Sequence, residues 1–248
     1  AYRIYDELAA GGVGAVITGF TSVSDDDRYF DGMMRLSRDD LIPQYRRLTD
    51  TIHAHGTPVI VQLALGAYYR AVGRGFVQVE PDEMSEEEIL LVESQFADAA
   101  RRAKEAGFDY VEMSIDETDA KLSRLDLPQS GWDEIAAAVR AVGIPFGSIC
   151  LSGHRKYPFG CPDPEKQKRS LDIMQKAVNL AAYLGIRTIQ LAGYDVYYEE
   201  GSEKTRADFL TNLKKATLMA AKAGVQLGFE TMETPFMDNV RKSMEYVK

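Results

Sequence analysis

The sequence predicts an α/β protein assembled from about six TIM-barrel-type β/α units, an incomplete or composite (β/α)8 barrel. Three observations carry that expectation. One phrase, a helix end followed by a glycine and an apolar burst, recurs along the chain. Its spacing suits one β/α unit with its loops. No strand leads into a G-x-G-x-x-G or G-x-x-x-x-G-K-[ST] phosphate loop, which disfavours an open nucleotide-binding sheet.

In chain order the phrase reads AAGGVGAVITG near Gly12, HAHGTPVIVQL at Gly56, KEAGFDYVEM at Gly107, RAVGIPFGSI at Gly143, AYLGIRTIQL at Gly185 and AKAGVQLGFE at Gly224. These glycines lie about 36 to 51 residues apart. A glycine after a helix takes the left-handed conformation that ends it, and the apolar run is expected to be a strand buried on both faces. Between the phrases, Leu41, Tyr45, Leu48 and Ile52 fall at helical spacing, as do Ile173, Ala177, Leu180 and Leu184. Ser85 followed by Glu88 predicts a capping box opening the helix that runs toward Gly107. Six strands are countable where a closed barrel of this class needs eight, so strands are expected to be missing at one or both ends.

Bulk properties narrow the function. Hydrophobic residues make up 45% of 248, enough for a sizeable core, and the net charge of −9 disfavours nucleic acid or an anionic membrane as partner. Two cysteines, Cys150 and Cys161, make no disulfide framework, and no stretch approaches the ~18 to 20 apolar residues of a membrane span. The expectation is a cytoplasmic protein acting on a small molecule.

Two resemblances follow from longer phrases. Residues 1–112, through LAAGGVGAVITG, LIPQYRRLTDTIHAHGTPVIVQL and FADAARRAKEAGFDYVEM, resemble the old yellow enzyme family of NADH:flavin oxidoreductases. That resemblance implies FMN at the barrel mouth and places Gln62 at the family's flavin-contacting glutamine. The chain departs from the family where LALGAYYR follows Gln62 and where VEMSIDETDAKL lacks the substrate-gripping His or His and Asn. Residues 107–248, through FDYVEMSIDETDAKLSRLD, SICLSGHRKYPFG and GIRTIQLAGYDVYY, resemble the L-ribulose-5-phosphate and L-xylulose-5-phosphate 3-epimerases, which are xylose-isomerase-like TIM barrels. This implies a divalent metal (Mn, Zn or Mg), a sugar-phosphate substrate, and proton transfer beside a ketose carbonyl. Glu230 matches the family's first metal ligand and one of its acid/base carboxylates. The other ligands are expected beyond Lys248. The two stretches overlap at EAGFDYVEM and are read as one continuous, composite barrel-like domain.

Each candidate has a plain structural alternative. Glu230 is expected as catalytic base and metal ligand, or else as an ion-pair partner at a strand end. His154 and Arg155, beside Lys156, are expected at a substrate phosphate, or else in a solvated basic loop. Glu112, Ser114 and Asp116 share one strand face, which is expected to point into the mouth, with Glu112 as a substrate contact. Gln62 is a flavin contact or a packing relic. Gln190 and Asp195 are expected to make structural hydrogen bonds, His53 and His55 to suit a helix C-terminus, and Asp25, Asp26 and Asp27 to form a solvated loop. Three activities remain in view: a sugar-phosphate 3-epimerase, an FMN oxidoreductase, and a catalytically inactive chimera or fragment that forms homo-oligomers through open strand edges.

Overall fold

The computed structural model describes residues 2–247, which form two compact units. One comprises the residues through Glu112 together with Ala138–Pro145. The other comprises Met113–Ala137 and Phe146 onward.

In the N-terminal unit, α1 (Tyr2–Ala10), β1 (Val16–Ser22) and a short β2 (Met34–Arg35) lead into α2 (Ile42–His53) and β3 (Val59–Ala64). An antiparallel hairpin of β4 (Tyr68–Val72) and β5 (Gly75–Val79) precedes α3 (Glu86–Glu105) and β6 (Tyr110–Ser114). The main strands run parallel in the order β2-β1-β3-β6, with Val16 opposite Val59 and Ile60 opposite Tyr110. Tyr45, Leu48 and Ile52 are the buried stripe of α2, as their spacing predicts. The capping box of α3 forms in both directions: Glu88 N donates to Ser85 Oγ at 3.3 Å, and Ser85 N donates to Glu88 Oε2 at 2.8 Å. The boundary between the units falls inside β6, between Glu112 and Met113.

The C-terminal unit continues from β6 through α4 (Asp119–Leu122) into α5 (Gln129–Val142), whose last turns belong to the other unit. Then come β7 (Phe146–Cys150), α6 (Pro164–Leu184), β8 (Thr188–Ala192), α7 (Glu203–Lys222), β9 (Gln226–Glu230) and α8 (Val240–Ser243). Parallel pairing runs β7-β8-β9, with Cys150 opposite Gln190 and Ala192 opposite Glu230. Ile173, Met174, Ala177 and Leu180 of α6 and Phe209, Leu213 and Ala216 of α7 close a core over Ile149, Ile189 and Leu191. Asp163 and Ser202 cap the N-termini of α6 and α7 through Glu165 N and Thr205 N.

All six expected strands form, as β1, β3, β6, β7, β8 and β9. The two-faced burial expected of them does not hold throughout. β1 alternates, with Ile17 exposed beside buried Val16, and no residue of β9 is fully buried, since that strand pairs with β8 alone. All six repeat glycines have positive φ, between 69° and 88°. At Gly185 the left-handed turn lets Ile186 N reach back to Ala181 O at 2.8 Å, and Phe108 N to Ala103 O and Val225 N to Ala220 O repeat that bond. Gly185→Ala is expected to lower the stability of the chain by about 1 kcal/mol, and Gly185→Asn by less, because asparagine tolerates this region. Urea midpoints of the two variants and the parent check this.

Candidate functional site

The polar residues of the C-terminal unit gather where β6 to β9 end, the rim at which β/α enzymes carry their chemistry. Backbone bonds stagger the four loops: Ile115 N donates to Cys150 O, Leu151 N to Gln190 O and Gly193 N to Glu230 O, at 2.9 to 3.0 Å. Gly193 has a steric reason to be glycine, because a Cβ there would lie 2.7 Å from Glu230 O and 2.8 Å from Met237 Sδ.

Glu230 closes β9. By surface area the residue is exposed, so its carboxyl is only partly desolvated. That desolvation is nevertheless the largest influence on it and raises the carboxyl above its ordinary value, against the Gln190 side-chain bond and the Arg155 charge, which lower it. Gln190, expected to make structural hydrogen bonds, is the side chain that acts most strongly against that rise.

Arg155 lies in the turn after β7. Its Nη1 is 3.6 Å from Asp116 Oδ1 and 3.7 Å from Glu117 Oε1, and its guanidinium sits 5.1 Å from the centre of the Tyr197 ring. Burial alone would raise Asp116, but the Glu117 amide, Lys121 at 3.3 Å and Ser152 at 3.1 Å hold it below the usual carboxylate range. Glu117 accepts from Tyr198 Oη at 2.7 Å, and Glu233 accepts from Tyr197 Oη at 3.2 Å. Four buried atoms in this cluster have no hydrogen-bond partner among the described residues: Arg155 Nε, Glu117 Oε2, Gln190 Oε1 and Tyr194 Oη. Tyr194 is only 2% exposed, and burial pushes its hydroxyl strongly up. The sequence reading passed over Glu117, Tyr194, Tyr197 and Tyr198. The available signal was the aromatic and acidic density of IDET and GYDVYYEE directly after strands.

The other expected site residues lie elsewhere. His154 is neither in a solvated loop nor at the rim. It is 4% exposed, its Nε2 is 3.1 Å from Ser170 O, and its ring lies 4.4 Å from that of Phe159. The reason is the turn at Ser152–Arg155, which directs His154 toward the start of α6 while Arg155 faces the carboxylates. Lys156 is engaged by Asp119 at 3.1 Å. Glu112 belongs to the N-terminal unit, where it is buried and accepts from Gln62 Nε2 at 2.7 Å. His53 pairs with Asp109 and His55 with Asp6. The run Asp25–Asp27 is not simply solvated: Asp27 is 1% exposed and accepts from Ser22 Oγ and Gly66 N, while Asp25 pairs with Arg38.

No group of three His, Cys, Asp or Glu side chains that could hold a metal exists among the described residues, and Glu230 has Arg155 and Glu233 as its charged neighbours. Gln62 gives one of its two amide hydrogens to the buried carboxylate of Glu112.

Parallel strands alternating with helices, and polar side chains collected at the strand C-termini, define the TIM-barrel class of α/β proteins. Within it, the chain belongs to the xylose isomerase-like TIM barrel family, whose family model matches residues 100–248. Residues 2–116 match the model of the NADH:flavin oxidoreductase / NADH oxidase family. The chain is 46% identical over 144 residues to an L-ribulose-5-phosphate 3-epimerase UlaE of Salmonella heidelberg, covering 58% of this chain and 51% of that one. It is 45% identical over 146 residues to the protein of the same name from Salmonella dublin, covering 59% and 51%. The chain thus spans about half the length of the curated relatives it matches. Among solved structures, the old yellow enzyme homologue of Zymomonas mobilis superposes with TM-score 0.57 at 12% identity, over 98% of this chain and 76% of that one. The D-psicose 3-epimerase of Clostridium cellulolyticum H10 superposes with TM-score 0.51 at 15% identity, over 61% and 53%. Both likenesses show the fold. No helix among the described residues is long and apolar enough to cross a membrane.

Burial lowers His154 to about 4, so the folded chain keeps it neutral where the unfolded chain protonates it. Its contribution is complete above the unfolded value of about 6.5 and is lost as pH falls from there toward about 4, reaching the order of 3 kcal/mol. Thermal melts across that range are expected to show this loss in the parent and a flatter profile in His154→Gln.

Proposed function

We propose that the C-terminal unit is the sugar-handling part of a ketose-phosphate 3-epimerase-type enzyme, with Glu230 taking up and returning the proton on the carbon beside the ketose carbonyl. One observation carries the reading: a carboxyl at the C-terminal end of β9, on the rim and raised by desolvation above its ordinary value, as suits a carboxylate that serves as a base. The activity named for the Salmonella relatives supports it.

The ionised Glu230 accepts the proton, and the carbanionic carbon shares its charge with the carbonyl oxygen. Return of the proton to the same face regenerates the starting sugar. Return to the opposite face inverts the centre and needs a second acid. The resemblance implies a metal on the carbonyl oxygens, but the described residues do not assemble its ligands, so the step assigned here is Glu230's alone. A positioned base by itself contributes about 10²- to 10⁴-fold.

Exchange with solvent therefore reports on Glu230 whether or not inversion follows. With L-ribulose 5-phosphate in D₂O, proton NMR is expected to show loss of the signal at the carbon beside the carbonyl at least about tenfold faster than without protein. Glu230→Gln is expected to return the rate to background, and an unchanged rate would sink the assignment. The same variant is expected to melt higher than the parent at neutral pH, because it removes a partly desolvated charge. That gap should close as acid protonates Glu230 in the folded chain and then in the unfolded one, below about 4.5.

The family match over residues 2–116 favours a second reading, FMN at the strand ends of the N-terminal unit. Gln62, which the resemblance puts at the flavin, already gives one of its two amide hydrogens to Glu112. After incubation with FMN and desalting, the chain is expected to retain no flavin absorbance; a stably yellow protein would establish this reading for that unit.

A further inference from the structure

We infer that a cavity in the N-terminal unit, between α1, β2 and α2, binds an uncharged aromatic molecule through its carbonyl oxygen, with Arg35 as the donor. All of its residues belong to that unit, so the site stands independently of the sugar-handling reading of the other.

The cavity has a volume of about 670 Å³, within the ~300 to 1,000 Å³ usual for small-molecule sites. Met33, Met34, Leu41, Tyr45 and Leu48 line it together with Arg35. Met33, Tyr45 and Leu48 are only 3 to 6% exposed and make a fixed apolar floor. Local bonds hold the walls in place. Met34 and Arg35 pair with Thr21 and Ser22 of β1, Tyr5 Oη lies 3.9 Å from Met34 Sδ, and Tyr2 Oη donates to Gln44 O at 2.9 Å. Two thioethers beside a phenol ring suit an aromatic guest, because sulfur packs favourably at ring edges.

One polar group of the wall is left unmatched. Arg35 Nη2 donates to Asp27 O at 2.8 Å, whereas Arg35 Nε is buried and has no hydrogen-bond partner among the described residues. An unsatisfied donor on a charged group is costly, and an oxygen entering from the cavity relieves that cost. Arg35 as a whole is only half-buried, so a small turn of its guanidinium brings Nε to a guest. Arg38, the other cation of the wall, is already engaged: Nη1 is 2.7 Å from Asp25 Oδ2 and Nε is 3.0 Å from Asp40 Oδ1.

The surrounding charges decide what kind of oxygen fits. Arg35 and Arg38 stand against Asp25, Asp40 and the buried Asp27, whose carboxylate accepts from Ser22 Oγ and Gly66 N. Two positive charges against three negative ones leave no cation for a carboxylate or phosphate guest to neutralise. A carbonyl oxygen accepts from Arg35 Nε and brings no charge with it.

Benzamide and benzoate have the same shape and differ in charge, so the pair tests the site. In the chain labelled with ¹³C-methyl methionine, benzamide is expected to shift the Met33 and Met34 signals, two of nine, saturably and with a millimolar Kd. Met33→Leu and Met34→Leu assign those signals. Benzoate is expected to bind at least about fivefold more weakly than benzamide. Gln44 is exposed on α2 and lines the cavity, so Gln44→Trp fills the space without touching its floor. That variant is expected to weaken benzamide at least about tenfold with no loss in melting temperature. Arg35→Lys keeps the charge beside Asp27 but lacks Nε, and is expected to weaken benzamide about fivefold, the range of one hydrogen bond. If Arg35→Lys does not fold, the parent titrations and Gln44→Trp decide. No saturable shift in the parent, shifts spread over all the methionines, benzoate as tight as benzamide, or full affinity in either folded variant would overturn the inference.

Discussion

Two strands that run the same way cannot be joined by a tight turn, so the pairs β1-β3, β3-β6, β7-β8 and β8-β9 each depend on a helix that stops at a set place. The stop is made six times by a glycine with positive φ. At Gly107, Gly185 and Gly224 the next residue's amide reaches back five residues to a helix carbonyl, and at once enters the strand. The start of each strand is thereby tied to the end of the preceding helix. The register that sets Cys150 opposite Gln190 and Ala192 opposite Glu230 follows from where those helices end.

The candidate site inherits this arrangement. Gln190 influences the Glu230 carboxyl because β8 and β9 are neighbours in register, and Gly193 permits the loop after β8 to lie against the Glu230 carbonyl. Arg155 reaches Asp116 and Glu117 because the loops after β6 and β7 are laced by main-chain and Ser152 bonds. The result is a polar cluster in which the cation is already shared between carboxylates, while several buried donors and acceptors stay unmatched.

The fold was legible because its signals are local. Helix periodicity at Tyr45, Leu48 and Ile52, the Ser85–Glu88 pair and the repeat glycines each act within a few residues. The β4–β5 hairpin gave no such signal, because its two strands are largely exposed and present no alternating apolar face. The places of Glu230 and Arg155 at the strand ends were legible through the epimerase-like phrases. The fate of His154 was not, because Ser170 and Phe159 decide its burial and neither is a sequence neighbour. Asp27 escaped for the same reason: its partner Gly66 lies far along the chain, and composition alone made the aspartate run look solvated. Tyr194 Oη was not foreseeable at all, since an unmatched atom is defined only by what surrounds it.

The boundary inside β6 has a consequence for ancestry. A parallel ladder is read by amide and carbonyl groups that every residue carries, so it cannot distinguish one lineage of side chains from another. The two family matches overlap at residues 100–116, the stretch that contains β6. Backbone pairing alone would not bar a splice in a strand of this kind. Repeats of different descent can follow one another through it, provided each brings its own helix and its own glycine.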